Sequence, residues 1–405
     1  QMKNMKKTIL FSFLFIGLVM GQASLSDSSG WTENGKFILK SSDGQFKLRF
    51  DIRMYIDGAY FMDDTAEKLS NGTHLRKARF AAKTQLWGDW NAEWDMDIAE
   101  YAVEIKDMWL SYNKWDNAMF KLGHYKVPFG LEILTSSRII SFPERAYNAL
   151  AFKLGRRTSV GYTQWGNKWH FSGALFAQGM DDDKNQNTEE TGNGFAARFV
   201  VAPIMKEGLL IHLGGAFAQH APNDDKGVID FNAEPETKIG DIEIVDTDNI
   251  FKVNTITQTG LEGALRLKSL SLQGEVMQTS LTREEGYSDA SFVGGYGFIS
   301  WFVTGETRPW VVSEGEFGQV LPNNKKWGAF ELLARFSHLN LSDEKAIIYG
   351  GKANNITLGL NWYVNPNIRF YLNYAIVDNS TNATGGGVPG DYDFSYVQFR
   401  TLVFF

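Results

Sequence analysis

The chain has 405 residues, with 40 glycines, 9 prolines, no cysteine, 14% aromatic residues and a formal net charge of -7. The absence of cysteine excludes a disulfide frame, a thiolate nucleophile and a cysteine-ligated metal. The acidic balance argues against a nucleic-acid partner, and glycine and aromatics with little proline suit an all-β protein.

Residues 1–23 carry a basic start at Lys3, Lys6 and Lys7, an apolar run from Ile9 to Met20, and small residues at Gly21 and Ala23. This is the pattern of a secretory signal peptide, with cleavage expected after Ala23. The run is shorter than the roughly 20 residues that a spanning helix needs. Residues 24–44 are polar and serine-rich and read as a short mature leader. No later stretch is long and apolar enough to cross a membrane as a helix, so a membrane-resident chain would have to cross as a closed β-barrel.

From residue 45 onward the pattern has period two. Phe46, Leu48, Phe50, Ile52, Met54 and Ile56 alternate with Lys47, Arg49, Asp51, Arg53, Tyr55 and Asp57. The same alternation recurs over 90–98, 195–201, 261–267, 330–336, 356–364 and 368–376. One such strand suits a soluble sheet equally well. The set is more specific, because its strands have the roughly 9–11 residues or more of a tilted membrane strand. Tight connections are expected at 201–208, 267–271 and 364–367, and long polar ones at 180–193, 222–249 and 378–393. Short turns at one end and long loops at the other fit a transmembrane antiparallel barrel. The count is about sixteen strands; the stretch 305–328 interrupts it and leaves eighteen open. Residues 45–405 read as one barrel domain. The acidic run Asp181–Asp183 lacks an EF-hand pattern and reads as solvated loop.

The tail "FSYVQFRTLVFF" places Val397, Phe399, Thr401, Val403 and Phe405 on one face. Such an apolar edge is an aggregation hazard in water. Closure against the strand at 45–60 removes it, with the charged face turned into an aqueous lumen. A terminal Phe on a last strand also resembles the insertion signal of bacterial outer-membrane proteins.

The chain lacks GxSxG, HExxH and GxxxxGK[ST] motifs, and its six histidines are scattered. No catalytic residue, cofactor or metal site is expected. Glu93, Asp95 and Asp97 share one strand face and read as lumen-facing rather than as acid/base groups.

Three blocks in order, "HLRKARFAAKTQLWGDWNAEWDMDIAE", "IKDMWLSY" and "FKLGHYKVPFGLEILTSSRIISFPERA", resemble the phosphate-selective porin O/P family. The later "GAFELLARFSHLNLSD" and "LGLNWYVNPNIRFYLNYAIVD" agree in order and spacing. The resemblance implies a trimer of sixteen-stranded barrels with a third extracellular loop folded inward and basic residues selecting anions. On that basis the loop would follow a strand at 117–126 and run from about Val127 to Arg157. It would place Arg138, Arg145, Lys153, Arg156 and Arg157 at a constriction. Parity independently puts Lys47, Arg49, Arg53, Lys77, Arg79, Lys83 and Lys121 on the lumen wall, together with Asp51, Asp57, Glu93, Asp95, Asp97, Glu262 and Glu331. The expectation is an outer-membrane porin, surrounded by lipid, for passive diffusion of small anions such as phosphate or pyrophosphate. A porin for other small solutes and a secreted soluble β-rich hydrolase are the alternatives.

Overall fold

The computed structural model describes residues 25–26, 29–32, 35–63, 69–99, 103–177, 192–222, 227–240, 242–380 and 392–405. The expected signal peptide and the Asp181–Asp183 run lie outside these residues. Sixteen strands form the wall. They are β1 (Lys47–Met62), β2 (Gly72–Leu86), β3 (Trp90–Asp97), β4 (Glu104–Tyr112), β5 (Ala118–Lys126), β6 (Arg156–Trp165), β7 (Trp169–Phe176) and β8 (Gly194–Lys206). The second half comprises β9 (Leu209–His220), β10 (Val253–Leu267), β11 (Leu270–Arg283), β12 (Ala290–Phe302), β13 (Ala329–Asp343), β14 (Ile348–Tyr363), β15 (Ile368–Asn379) and β16 (Phe394–Phe404). Each pairs antiparallel with its chain neighbours, and β16 returns to β1 with Val397 opposite Tyr60 and Phe404 opposite Arg53. The sheet therefore closes, and its first and last edges satisfy one another.

The burial pattern is inverted relative to a soluble sheet. On β1, Asp51, Arg53, Tyr55 and Asp57 are buried while Ile52, Met54 and Ile56 are exposed. On β10, Leu261 is 72% exposed and its neighbour Glu262 is 7% exposed. Apolar surface facing water costs about 25 cal/mol per Å², so an outer face of this kind belongs in lipid and the charged face belongs inside.

Turns at one end are tight, as between β10 and β11, and the opposite end carries the connections 127–155, 177–193, 221–252 and 380–393. Two expectations are corrected in detail. β8 runs through Pro203 to Lys206 instead of turning from residue 201, with a register shift between Val201 and Ile204. Proline has no N–H for the ladder and sits at such irregularities. The 305–328 stretch adds no wall strand: Trp310–Val311 and Glu316–Phe317 pair only with each other, so the wall keeps sixteen strands.

Two extra strands precede β1. Gly30–Trp31 pairs with Phe37–Lys40, which pairs in turn with Lys47–Arg49. This hairpin uses the edge of β1 just beyond the end of β16, so one edge serves two partners in line. The Asn367 side chain ties them by donating to the carbonyls of Gly35 and Phe404 at 2.7 and 2.6 Å.

The lumen is partly filled. Phe61, Phe129, Tyr147, Phe152, Phe231, Ile244, Phe292 and Tyr396 belong to one apolar cluster made by the connections 127–155 and 221–252 against the inner wall.

Candidate pore site

The segment 127–155 leaves β5 and crosses the lumen. Gly130 adopts φ 78, a conformation open to glycine at little cost, and a Cβ there would lie 2.5 Å from Met277. The short helix α1 (Leu131–Leu134) follows, and its Leu131 and Glu132 N–H groups donate to the Glu275 carboxylate of β11. The chain then runs along β13–β16. Asn361 donates to the Ser141 carbonyl at 2.7 Å, and Arg335 to the Glu144 carbonyl at 3.0 Å. Arg369 donates to the Ile140 carbonyl and Arg400 to that of Pro143. Helix α2 (Tyr147–Ala151) begins where the Tyr147 N–H meets Ser337 at 3.0 Å. These bonds satisfy backbone groups that could not be left bare at membrane depth.

Glu144 is the electrostatic anchor of this segment. Its carboxylate meets Arg76 at 2.8 Å and Arg400 at 2.6 Å, and Arg400 also holds Asp57 at 2.5 Å. Burial alone would raise Glu144, but the two guanidiniums outweigh it and hold the carboxyl well below its ordinary range. Burial pushes Glu132 up, offset in part by Arg335 and by the Ala146 N–H that it accepts at 3.0 Å.

Because the segment leans on β11–β16, space remains against β1–β6. A cavity of about 600 Å³ lies there, lined by eleven lysines and arginines and four carboxylates. Arg138, Arg145 and Arg156 contribute from the inward segment and the start of β6, and Lys47, Arg49, Arg53, Lys77, Arg79, Lys83 and Lys121 from the wall. Lys153 and Arg157 are placed elsewhere, in a second cavity near the long-loop end with His220 and Gln258. A third, smaller cavity shares Lys153 with the second and Lys126, Arg145 and Arg156 with the first. The three form a series running from the long-loop end to the short-turn end.

Many of the cations have partners. Asp51 meets Arg49 at 2.8 Å and Arg138 at 3.4 Å; Asp97 meets Arg79 at 2.9 Å; Glu93 meets Lys83 at 2.5 Å; Asp107 meets Arg156 at 2.8 Å. Asp51, Asp95 and Asp97 are buried behind these cations and do not line the cavity. Glu93, Asp95 and Asp107 come within 4.8 Å of one another, but each has a lysine or arginine within 4.0 Å. That matched charge opposes a divalent cation. Arg145 donates to the carbonyls of Glu132 and Thr135 at 2.8 and 2.7 Å and so braces α1. Lys121 lies over the rings of Trp109 and Tyr125, 4.2 and 4.8 Å from their centroids, and Lys77 lies 5.2 Å over Tyr55. Among the described residues neither lysine has an ion-pair partner within the 4.0 Å that defines such pairs.

The sequence reading missed five charged contributors, among them Asp107 of β4. Register slips at β2 between its partners Tyr55 and Ile56, so Arg76 and Lys77 both turn inward. Lys126 ends β5 where the chain is already bending into the lumen. Glu314 and Glu316 come from the aperiodic stretch 303–328, which offered no strand face to read.

Residues 46–405 match the family model described as phosphate-selective porin O and P. Porin O of Pseudomonas aeruginosa is 23% identical over 391 aligned residues, 87% of this chain and 88% of that protein. An uncharacterized protein of Caulobacter vibrioides is 25% identical over 392 residues, covering 92% of this chain and 76% of that one. Among solved structures, an anion-selective porin from Comamonas acidovorans superposes with a TM-score of 0.57 at 15% identity, over 89% of this chain and 100% of that one. The trimer form of OmpT, an outer-membrane protein of Vibrio cholerae, gives 0.56 at 10% identity over 89% and 99%.

Proposed function

We propose, for a chain that belongs to the phosphate-selective porin O and P family and so forms an outer-membrane channel rather than an enzyme, that its passage selects small anions. The observation that carries this reading is the cavity lining of eleven cationic side chains against four carboxylates, in a chain whose net charge is -7. Most acidic groups of the wall are recessed or face the filled half, Glu93 and Asp107 line the cavity but are paired with Lys83 and Arg156, and the water-filled path is left positive. A narrow low-dielectric lumen focuses that potential, and cations spaced along it replace part of an anion's hydration in successive weak steps. Arg138, Arg145 and Arg156 with the wall lysines and arginines form the constriction; Lys153 and Arg157 belong to the entrance. Phosphate or a similar oxyanion fits the charge-assisted bonding that guanidiniums offer; the family's description names phosphate, and the Comamonas neighbour is described as anion-selective. A homotrimer is part of the proposal, by analogy with the trimeric OmpT form, as is export with cleavage after Ala23.

Reversal potentials in a planar bilayer under a salt gradient test this reading. The expected sign is anion-selective, with chloride current reduced by added phosphate. Cation-selective current would replace it with a porin of other specificity.

A further inference from the structure

The segment 303–328 enters the barrel from the end where the other connections between wall strands are tight turns. The wall fixes it there. Arg198 donates to the Gly315 carbonyl at 2.8 Å, Arg266 to the Arg308 carbonyl at 2.7 Å, and Arg308 to Gln273 at 3.0 Å. Phe317 is buried with Ala202, Leu210 and Ala264. Gly315 takes φ +62, and a Cβ there would press on His170 and Arg198 at 3.0 and 3.1 Å. The tip is thus held close to the wall, and it presents Glu314 and Glu316 to the main cavity.

These two carboxylates differ from the other two that line it. Glu93 is paired with Lys83 and Asp107 with Arg156. Among the described residues Glu314 and Glu316 have no ion-pair partner within the 4.0 Å that defines such pairs. Two lysines of the same cavity also lack a countercharge among the described residues. Lys121 sits over aromatic rings, and Lys126 donates to the Ile133, Leu134 and Thr135 carbonyls at 2.5, 2.8 and 3.4 Å, which fills its donors but leaves its charge without an ion-pair partner. Glu314, Glu316, Lys121 and Lys126 all line this one cavity. Charges of both signs without direct ion-pair partners make its lining dipolar.

We propose that Glu314 and Glu316, with Lys121 and Lys126 of the same cavity, form a dipolar binding site, and that the favoured solute is a small organic anion bearing its own ammonium group. An aminoalkyl phosphate is the model compound. The acid group takes the lysines and the ammonium takes the carboxylates, whereas a bare oxyanion gains the lysines alone and meets Glu314 as a like charge. This site rests on the anion-channel reading above and names its substrate class. Glu316 faces Glu314 on its own segment, Arg198 and Glu262 on β8 and β10, and Lys126 on β5. Enclosure and Glu314 push Glu316 up to about 8, so near neutral pH much of the second negative charge is suppressed, which suits one ammonium.

The test compares block of chloride current by inorganic phosphate and by 2-aminoethyl phosphate at neutral pH. The proteins are the wild-type channel and a Glu314→Gln/Glu316→Gln double variant. The expected wild-type half-block falls at roughly tenfold lower 2-aminoethyl phosphate than phosphate, the effect of one added charge-assisted contact. The double variant should lose that preference and still be blocked by phosphate. Equal block of the wild type by both compounds, or an unchanged preference in the variant, overturns the site and leaves the anion channel standing. Cation-selective wild-type current overturns both. Should the double variant fail to assemble, Glu314→Gln alone alters an exposed side chain and must reduce the preference.

Discussion

The two halves of the lumen carry the same kind of strand and put it to opposite uses. On β13, β15 and β16, Arg335, Arg369 and Arg400 are buried and spend their donors on the carbonyls of Glu144, Ile140 and Pro143. On β1, β2 and β5, Arg49, Lys83 and Lys121 stand at the edge of open space. Nothing in the alternation distinguishes them. The side on which the segment 127–155 lies does. Where it packs, an inward arginine becomes a structural bond; where it does not, an inward cation is left to face solute.

Breaking this contrast should first affect stability, and most strongly on the filled side. Arg400→Leu leaves Asp57 buried without its guanidinium and Glu144 with Arg76 alone, which is expected to cost about 3–5 kcal/mol. Lys121→Gln on the open side should change stability by less than about 1 kcal/mol. Heat-dependent gel migration of the two purified variants measures the difference, and equal losses would erase the distinction.

Acid should act on the filled side next. Glu144 is held well below its ordinary range, so the stability it contributes is present above the ordinary carboxylate range and is lost as pH falls through the depressed value. Each unit of depression corresponds to about 1.4 kcal/mol. Docking of the segment 127–155 should therefore survive mild acid and fail only in strong acid. Proteolysis across a pH series should show that transition in the wild type, and Glu144→Gln should remove it.

Selectivity should respond on the open side. Arg138→Ala and Lys121→Gln are each expected to lower the anion/cation permeability ratio. A hydrogen bond to a charged partner is worth about 1.5–3 kcal/mol, which limits the change to roughly tenfold or a little more. Arg369→Leu, on the filled side, should leave the ratio unchanged while lowering thermal stability. A matching fall in selectivity would mean that the filled half also conducts.

The smallest effect sharpens the boundary between the halves. Ser136 lines the cavity, and the chain has no cysteine of its own. Ser136→Cys should by itself leave conductance near wild type and should lose current after a small charged thiol reagent is added. Cysteine at Ser141, buried against Glu331 and Asn361, should react far more slowly.

Much of the barrel was legible in the residues because period two is a local property. Ile52 and Asp51 face opposite ways whatever else the chain does, and a face of Ile, Met and Leu beside a face of Asp and Arg implies lipid on one side and water on the other. The inward side taken by Lys47, Arg49, Arg53, Lys77, Arg79, Lys83 and Lys121 followed from that rule, and a count of about sixteen strands from the spacing of the connections, whereas the choice of sixteen over eighteen did not. The rule failed where periodicity is interrupted: at the bulge that turns Arg76 inward, at Lys126 where β5 ends, and throughout 303–328.

What only the tertiary structure decided is the fate of each inward charge. Asp51 and Glu314 are both lumen carboxylates. One is enclosed by Arg49 and Arg138, while the other is exposed to the cavity. Arg145 and Lys121 are both lumen cations, yet one braces backbone carbonyls and the other rests on aromatic rings. Such pairings join residues from distant strands and from segments entering at both ends. They depend on where two aperiodic connections come to rest inside the barrel, and a side chain's spacing along its own strand carries no record of that.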